Sequence, residues 1–235
     1  MNKAEQILKI LISSPKDEYV SGEALSASLN ISRVAVWENI EKLKKQGFFI
    51  HALRKKGYQI SKLPEQFSEF FLKILLNNFE CKVFSYESLD STNTQALRLL
   101  SDGTEPVFAV VSKSQSKGRA VRGKEWKSAE GALLLSLVCE SKTKNAKFTP
   151  EKLAKKISLI LKKDFDIITL QKENTLFYKS KKICGVLCET FGELNYKTKF
   201  IFGIGVDLEK IGATSKINEI AAKVVSGILS DKNFF

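Results

Sequence analysis

The sequence predicts an α+β protein in two parts, and three observations lead there. The first sixty residues read as short capped helices followed by two β-prone runs around a basic turn. A polar stretch with a proline, "SKLPEQ" at 61–66, then interrupts regular structure. Beyond it, several strand-like runs follow one another without an intervening helix, which argues for α+β over a doubly wound sheet.

Residues 3–13 place Ala4, Ile7, Leu8 and Leu11 at helical spacing. Ser21 offers an N-cap to a short helix carrying Leu25 and Leu29. "NIS" breaks it, and Ser32 caps a longer helix, "RVAVWENIEKLKKQ", with Val36, Ile40 and Leu43 on one face. Gly47 stands where a left-handed residue ends a helix most easily. "FFIHALRKKGYQI" completes the part as a hairpin. This order is that of a winged helix-turn-helix, whose second capped helix enters the major groove. Ser32, Arg33, Val34 and Trp37 would then meet DNA, with Lys55 and Lys56 on the wing and Lys42, Lys44 and Arg54 near phosphates. Trp37 is buried in one helical register and exposed in a slightly rotated one. A three-helix packing unit or a protein-binding winged helix fits the same pattern.

The expected boundaries are 1–62 and 67–235. In the second part, strand-like runs occupy Val107–Ser112, Leu133–Glu140, Ile167–Leu170, Ile183–Glu189 and Phe200–Leu208. Helical runs lie near Thr94–Leu100, Pro150–Lys162 and Ile217–Leu229.

Composition narrows the function classes. No stretch reaches the roughly 18 apolar residues a membrane helix needs, and the N-terminus lacks signal-peptide character. Four cysteines without a CxxC pair favour a reducing cytoplasm. His51 is the single histidine. It lies in the hairpin, so histidine-based nucleophilic catalysis and His-rich zinc sites are disfavoured. The formal charge of +12 suits polyanionic partners. Because residues 1–60 hold 10 basic and 6 acidic residues and the rest 28 and 20, the excess marks no single segment.

The motifs of the second part are weak singly. "GRAVRG" at 118–123 lacks the GK[ST] ending of a P-loop. "SLDSTNTQAL" puts Ser91, Thr92 and Asn93 at a helix start, where free backbone N–H groups receive acceptors or where the side chains simply cap. "FGIGVDL" places Gly203 and Gly205 on one face of a hydrophobic strand, which suggests a bulge or close approach of a ligand or backbone. "SKKICGVLCE" leads Lys181 and Lys182 into a buried strand through Gly185.

Taken in order, "STN" at 91–93, Gln115, "GRAVRGKEW" at 118–126, Gly131, "KKICGVLCE" at 181–189 and "GIGVDL" at 203–208 resemble one family. They follow "SGEALSASLNISRVAVWENIEKLKKQGF" and "KKGYQI", which resemble its DNA-binding domain. The family is the biotin protein ligases of the bifunctional kind that also act as biotin operon repressors. The resemblance implies a ligase domain with a class II synthetase-like mixed sheet. It implies biotin and ATP, with Mg2+, as substrates and cofactor, and biotinoyl-5′-AMP as intermediate. The partners implied are the lysine of a biotin carboxyl carrier protein, operator DNA and a second copy of the chain when the adenylate is bound, with no membrane and a cytoplasmic location.

By the same resemblance, Lys182 and Arg119 are catalytic. Ser91, Thr92 and Gln115 hold biotin, Arg119 and Arg122 bind phosphate or carboxylate oxygens, and Trp126 closes the lid. Asn93, Gly118, Asn174, Gly185, Gly203 and Gly205 complete the biotin and adenylate set, and no residue is assigned to a metal. The chemistry fits: a carboxylate must attack an α-phosphate, so two anions need cations between them.

The sequence departs from the family's pattern in several places. Ala120 and Val121 stand in a loop that usually reads GRGRRG. "QKENT" at 171–175 stands for KWPND, with Asn174 in register and Thr175 for an aspartate. Asp207 stands for a common Asn, and the sequence stops at Phe235, before an SH3-like C-terminal domain. Slower adenylation, or a looser hold on the intermediate, is expected. A non-catalytic DNA-binding regulator with a ligase-like sensor is the alternative, and a relative handling lipoate a further one.

Overall fold

A computed structural model describes residues 2–15, 17–144, 148–165, 168–171, 174–192 and 197–231; of these, the side chains of Arg122, 142–144 and 168–171 lie outside the description. The chain forms two compact units, Met1–Ile74 and Leu75–Phe235.

In the first unit, α1 (Lys3–Ser13) buries Ala4, Ile7, Leu8 and Leu11. Its start is held by a capping box between Asn2 and Glu5, which satisfies two orphan N–H groups reciprocally. Ser21 caps α2 (Gly22–Leu29), where Leu25 is buried, and Asn30 ends that helix in the left-handed region. Ser32 caps α3 (Arg33–Lys45), which turns Val36, Ile40 and Leu43 inward. Gly47 follows at φ 89°, a conformation that costs glycine least. The wing is the antiparallel pair β1 (Phe49–Leu53) and β2 (Gly57–Lys62). Beyond it the chain stays in the first unit as far as Ile74: Pro64 is buried, and α4 (Glu69–Leu75) packs Phe71 edge-on against Phe48. That helix was not expected from the sequence.

The second unit is a seven-stranded sheet in the order β3-β4-β5-β9-β8-β7-β6. Its strands are β3 (Lys82–Leu89), β4 (Phe108–Gln115), β5 (Leu133–Lys144), β6 (Ile168–Gln171), β7 (Thr175–Tyr178), β8 (Lys181–Phe191) and β9 (Lys197–Val206). Among the described residues, β3 and β4 pair in parallel and the other neighbours in antiparallel fashion. The helix α5 (Thr92–Ser101) makes the β3–β4 crossover and covers Phe108, Val110, Val138 and Ile201 with Ala96 and Leu100. The helices α6 (Pro150–Leu161) and α7 (Ile217–Leu229) pack together so closely that a Cβ on Gly227 would lie 2.6 Å from Ile160 Cδ1.

The strands run longer than the hydrophobic runs that announced them. The expected run Ile167–Leu170 overlaps β6, and Ile167 lies outside the described residues. Two strands, β3 and β7, gave no usable signal. In β3, Lys82, Ser85, Glu87 and Ser88 interrupt Val83, Phe84, Tyr86 and Leu89, and only Val83 is buried. The β7–β8 hairpin turns through Lys179 and Ser180 at φ 46° and 62°, without the Asn-Gly pair that usually marks such a turn.

Candidate functional site

The N-terminus of α5 is the origin of the site. Ser91, at its N-cap, makes no side-chain capping bond, so the first turn draws its partners from elsewhere. The Thr92 N–H donates to Gln115 Oε1 at the end of β4 (2.7 Å), and the Thr92 hydroxyl lies 3.0 Å from the same oxygen. Ser136 Oγ, on β5, is 2.8 Å from Thr92 Oγ1 and 2.5 Å from Asn93 Oδ1. Asn93 Nδ2 donates to Glu189 Oε2 at 2.8 Å, so Oδ1 is an acceptor and takes the Ser136 proton. Arg119 donates to the same Glu189 oxygen at 2.5 Å. A continuous polar chain therefore runs from the loop arginine to Gln115, through Asn93, Ser136 and Thr92, all three buried.

The sheet beside it is floored by glycine. Gly203 pairs with Ser136 and Gly185 pairs with Gly205 across β9. A Cβ on Gly203 would lie 2.5 Å from Asn93 Oδ1, and one on Gly205 would lie 2.5 Å from Trp126 Cζ2. On Gly185 it would lie 2.6 Å from Trp126 Cζ3. The close approach expected of the twin glycines is thus made by two side chains, an amide and an indole. The Lys182 ammonium stands 5.2 Å from the Trp126 ring centroid, within cation–π range. Trp126 Nε1 is buried and has no hydrogen-bond partner among the described residues, the kind of orphan donor that folded proteins rarely tolerate without a ligand or water.

The 118–126 loop closes on itself. Trp126 N–H donates to Gly118 O (2.8 Å) and Ala120 N–H to Lys124 O (2.7 Å), around a 3-10 turn at Val121–Gly123. A Cβ on Gly118 would lie 2.5 Å from Trp126 O, so Gly118 permits the return of the chain.

These elements enclose a cavity of about 830 Å³. It is lined by Ser91, Thr92, Asn93, Gln115, Arg119, Trp126, Asn174, Lys182, Gly185, Gly203 and Gly205, together with Val121, Lys124, Glu125, Glu151 and Thr175. Gly118 stands behind Trp126 and does not line it, and the side chain of Arg122 lies outside the described residues. Asn174 is pinned to β8: its Nδ2 donates to Val186 O (3.1 Å) and its carbonyl accepts the Val186 N–H (3.2 Å). In the "QKENT" stretch, Lys172 and Glu173 lie outside the described residues. Asp207 does not reach the cavity; it is buried in an ion pair with Lys210 (2.6 Å).

Sequence reasoning missed Ser136 and Glu189. Ser136 left a signal, a lone hydroxyl in the run "LLLSLVC". Glu189 stood only as the last residue of "KKICGVLCE" and drew no role, since a carboxylate near the end of a strand is ordinarily solvated. The cysteines are chemically quiet. Burial pushes the thiols of Cys81, Cys184 and Cys188 up to about 12, and that of Cys139 well above the ordinary thiol range.

A second surface lies on the first unit. Ser32 spends its hydroxyl on the Ala35 N–H (3.1 Å), and Arg33 is ion-paired with Glu23 (2.7 Å). Val34 is 65% exposed and Trp37 55%, which places the indole outward. Lys55 (φ 66°) and Lys56 are exposed at the tip of the wing.

The sequence pattern of an HTH domain matches residues 3–59, and that of the Biotin/lipoate A/B protein ligase family matches residues 85–207. The chain is 28% identical over 206 residues to the bifunctional ligase/repressor BirA of Bacillus subtilis (strain 168), which covers 85% of this chain and 63% of that protein. The chain therefore spans somewhat under two thirds of the length of such relatives. It is similar to the biotin protein ligase from Aquifex aeolicus solved in complex with biotin and ATP (TM-score 0.51, 26% identity, 62% of this chain and 68% of that one). It shares its fold with the biotin protein ligase from Leishmania major solved with biotinyl-5-AMP (TM-score 0.53, 17% identity, 63% and 74%).

Proposed function

Because the chain belongs to the Biotin/lipoate A/B protein ligase family, we propose that it is a biotin protein ligase that also acts as a biotin-responsive repressor. In the proposed reaction a biotin carboxylate oxygen attacks the α-phosphorus of ATP and pyrophosphate leaves. The amine of a carrier-protein lysine then attacks the acyl carbon, and AMP leaves. The observation that carries this is the meeting, in one cavity, of Arg119 and Lys182 with a polar helix start and a glycine floor.

The residues divide the work by chemistry. Lys182 brings a point charge, and Arg119 a forked set of donors, to the region where phosphate charge builds. Ser91, Thr92 and Gln115 supply polar groups for biotin's ureido ring or carboxylate, Ser136 holds Thr92 and Asn93 in place from behind, and Trp126 over the glycines supplies a flat apolar wall. Magnesium, which accompanies ATP, would draw its ligands chiefly from the phosphates, because the described residues hold no cluster of three metal-ligating side chains.

The first unit would bind operator DNA through α3 and the wing, as a homodimer when the adenylate is bound. Incubating the protein with labelled biotin, Mg-ATP and a carboxylase carrier domain tests the reading: the acceptor becomes labelled and pyrophosphate is released. Lys182→Ala removes that labelling, a loss of at least about 10² in rate. A second reading, a regulator that binds biotin without catalysis, is favoured by the uncharged Val121 and Thr175 at the cavity wall. It expects biotin-dependent operator binding with no labelling at all.

A further inference from the structure

The outward face of α3 is unlike a surface built only to hold phosphates. Along the helix, Arg33, Val34, Trp37, Glu38 and Lys45 are exposed, while Val36, Ile40 and Leu43 are buried. Val34 and Trp37 are separated by less than one turn, so they form one apolar patch beside the capped N-terminus. Exposed cations stand toward both ends of the helix, Arg33 at its start and Lys42 and Lys45 toward its end, and Arg54, Lys55 and Lys56 of the wing line one hollow with Arg33. Arg33 is held to Glu23 by an exposed pair, which is weak enough to be exchanged for a phosphate or base. Glu38, one residue beyond Trp37, repels phosphate.

An apolar centre within a cationic rim fits the major groove, where charge is outside and base edges are within. Most base-edge features there are hydrogen-bond donors and acceptors, which a valine cannot read. The exception is the C5-methyl group of thymine. We infer that α3 recognises its half-site chiefly through thymine methyl groups packed on Val34 and Trp37. Glu38 beside them admits a base that donates an amino hydrogen, cytosine above all, and disfavours guanine. The inference rests on the reading of the first unit as a DNA-binding unit and specifies what that unit reads.

The test begins by selecting the tightest duplexes from a random pool with the full chain in the presence of biotin and Mg-ATP. Each thymine of the winning site is then replaced by uracil, which removes one methyl and leaves the protein untouched. Burial of one methyl group corresponds to about a fourfold change in affinity. Uracil at one or two positions of each half-site should therefore weaken binding about fourfold apiece. Val34→Ala, at a position 65% exposed and so harmless to the core, should bind the thymine and uracil sites alike at one of those positions. Uracil scanning without effect on a selected, sequence-specific site overturns the inference while leaving DNA binding intact. Wild-type thymine preference at every position in both Val34→Ala and Trp37→Ala also overturns it. Failure to select any duplex removes the DNA-binding reading itself, and the inference with it.

Discussion

Replacing Gly205 by alanine separates a packing role for Trp126 from a ligand-binding one. The new methyl would sit 2.5 Å from Trp126 Cζ2 and 2.6 Å from Cε2. Carbon atoms rest at about 3.5–4.0 Å, so the indole must withdraw by roughly 1 Å. Trp126 lines the cavity, so it has space to move into, and that space is where a ligand would lie. The penalty should therefore fall on the bound state and not on folding. Taking the usual overpacking cost of about 1–3 kcal/mol, biotin affinity drops roughly 5- to 150-fold. Titration calorimetry with biotin measures the affinity, and a thermal melt should show an almost unchanged midpoint. Gly185→Ala, which meets the same ring at 2.6 Å, should behave alike. Gly203→Ala is the contrast. Its methyl meets the buried, hydrogen-bonded Asn93 at 2.5 Å, and losing those bonds should cost about 1–3 kcal/mol of stability. A folded Gly205→Ala protein with wild-type biotin affinity would refute the placement of the ligand against Trp126.

Other outcomes follow from the same geometry. Val121→Arg adds a guanidinium to the cavity wall and should slow release of the adenylate, measured by chase with unlabelled biotin. Glu189→Ala frees Arg119 and Asn93 from their shared carboxylate; ligation should fall by about tenfold or more, with Glu189→Gln recovering part of it through its carbonyl oxygen. At pH 8 the native thiols should resist a disulfide reagent, because at about 12 for Cys81, Cys184 and Cys188 the thiolate is scarce; unfolding should expose all four cysteines. Hydrogen bonding from the Arg98 guanidinium holds the Asp90 carboxyl down to about 2. Its small contribution to stability is present above the ordinary carboxylate range and is lost as pH falls through about 2. Asp90→Asn should thus melt slightly below wild type at pH 6 and level with it near pH 2.

The first unit was legible because its signals are local. Ser21 and Ser32 cap the helices that follow them, and one apolar stripe per helix meets the core. The orientation of Trp37 was not legible, since a small rotation of α3 decides it. In the second unit, the long central strands declared themselves through continuous apolar runs, whereas β3 and β7 did not. The candidate site was legible as a set of residues but not as a mechanism of assembly. Nothing in "FGIGVDL" says that Gly203 makes room for Asn93 and Gly205 for Trp126, because the partners lie far earlier in the chain, on the first turn of α5 and in the 118–126 loop. Glu189 joins Arg119 to Asn93 from β8, far from both in the chain. In the loop at 118–126 the cationic residues are visible in the sequence, but the backbone closure through Gly118 and Ala120 is not.

The most direct test of the proposed activity is biotin-dependent exchange of labelled pyrophosphate into ATP. This isolates adenylate formation from transfer to any carrier. Exchange that requires biotin and disappears in Lys182→Ala is the expected result. Biotin binding in the cavity without any exchange would contradict the ligase proposal and leave a ligand-binding regulator.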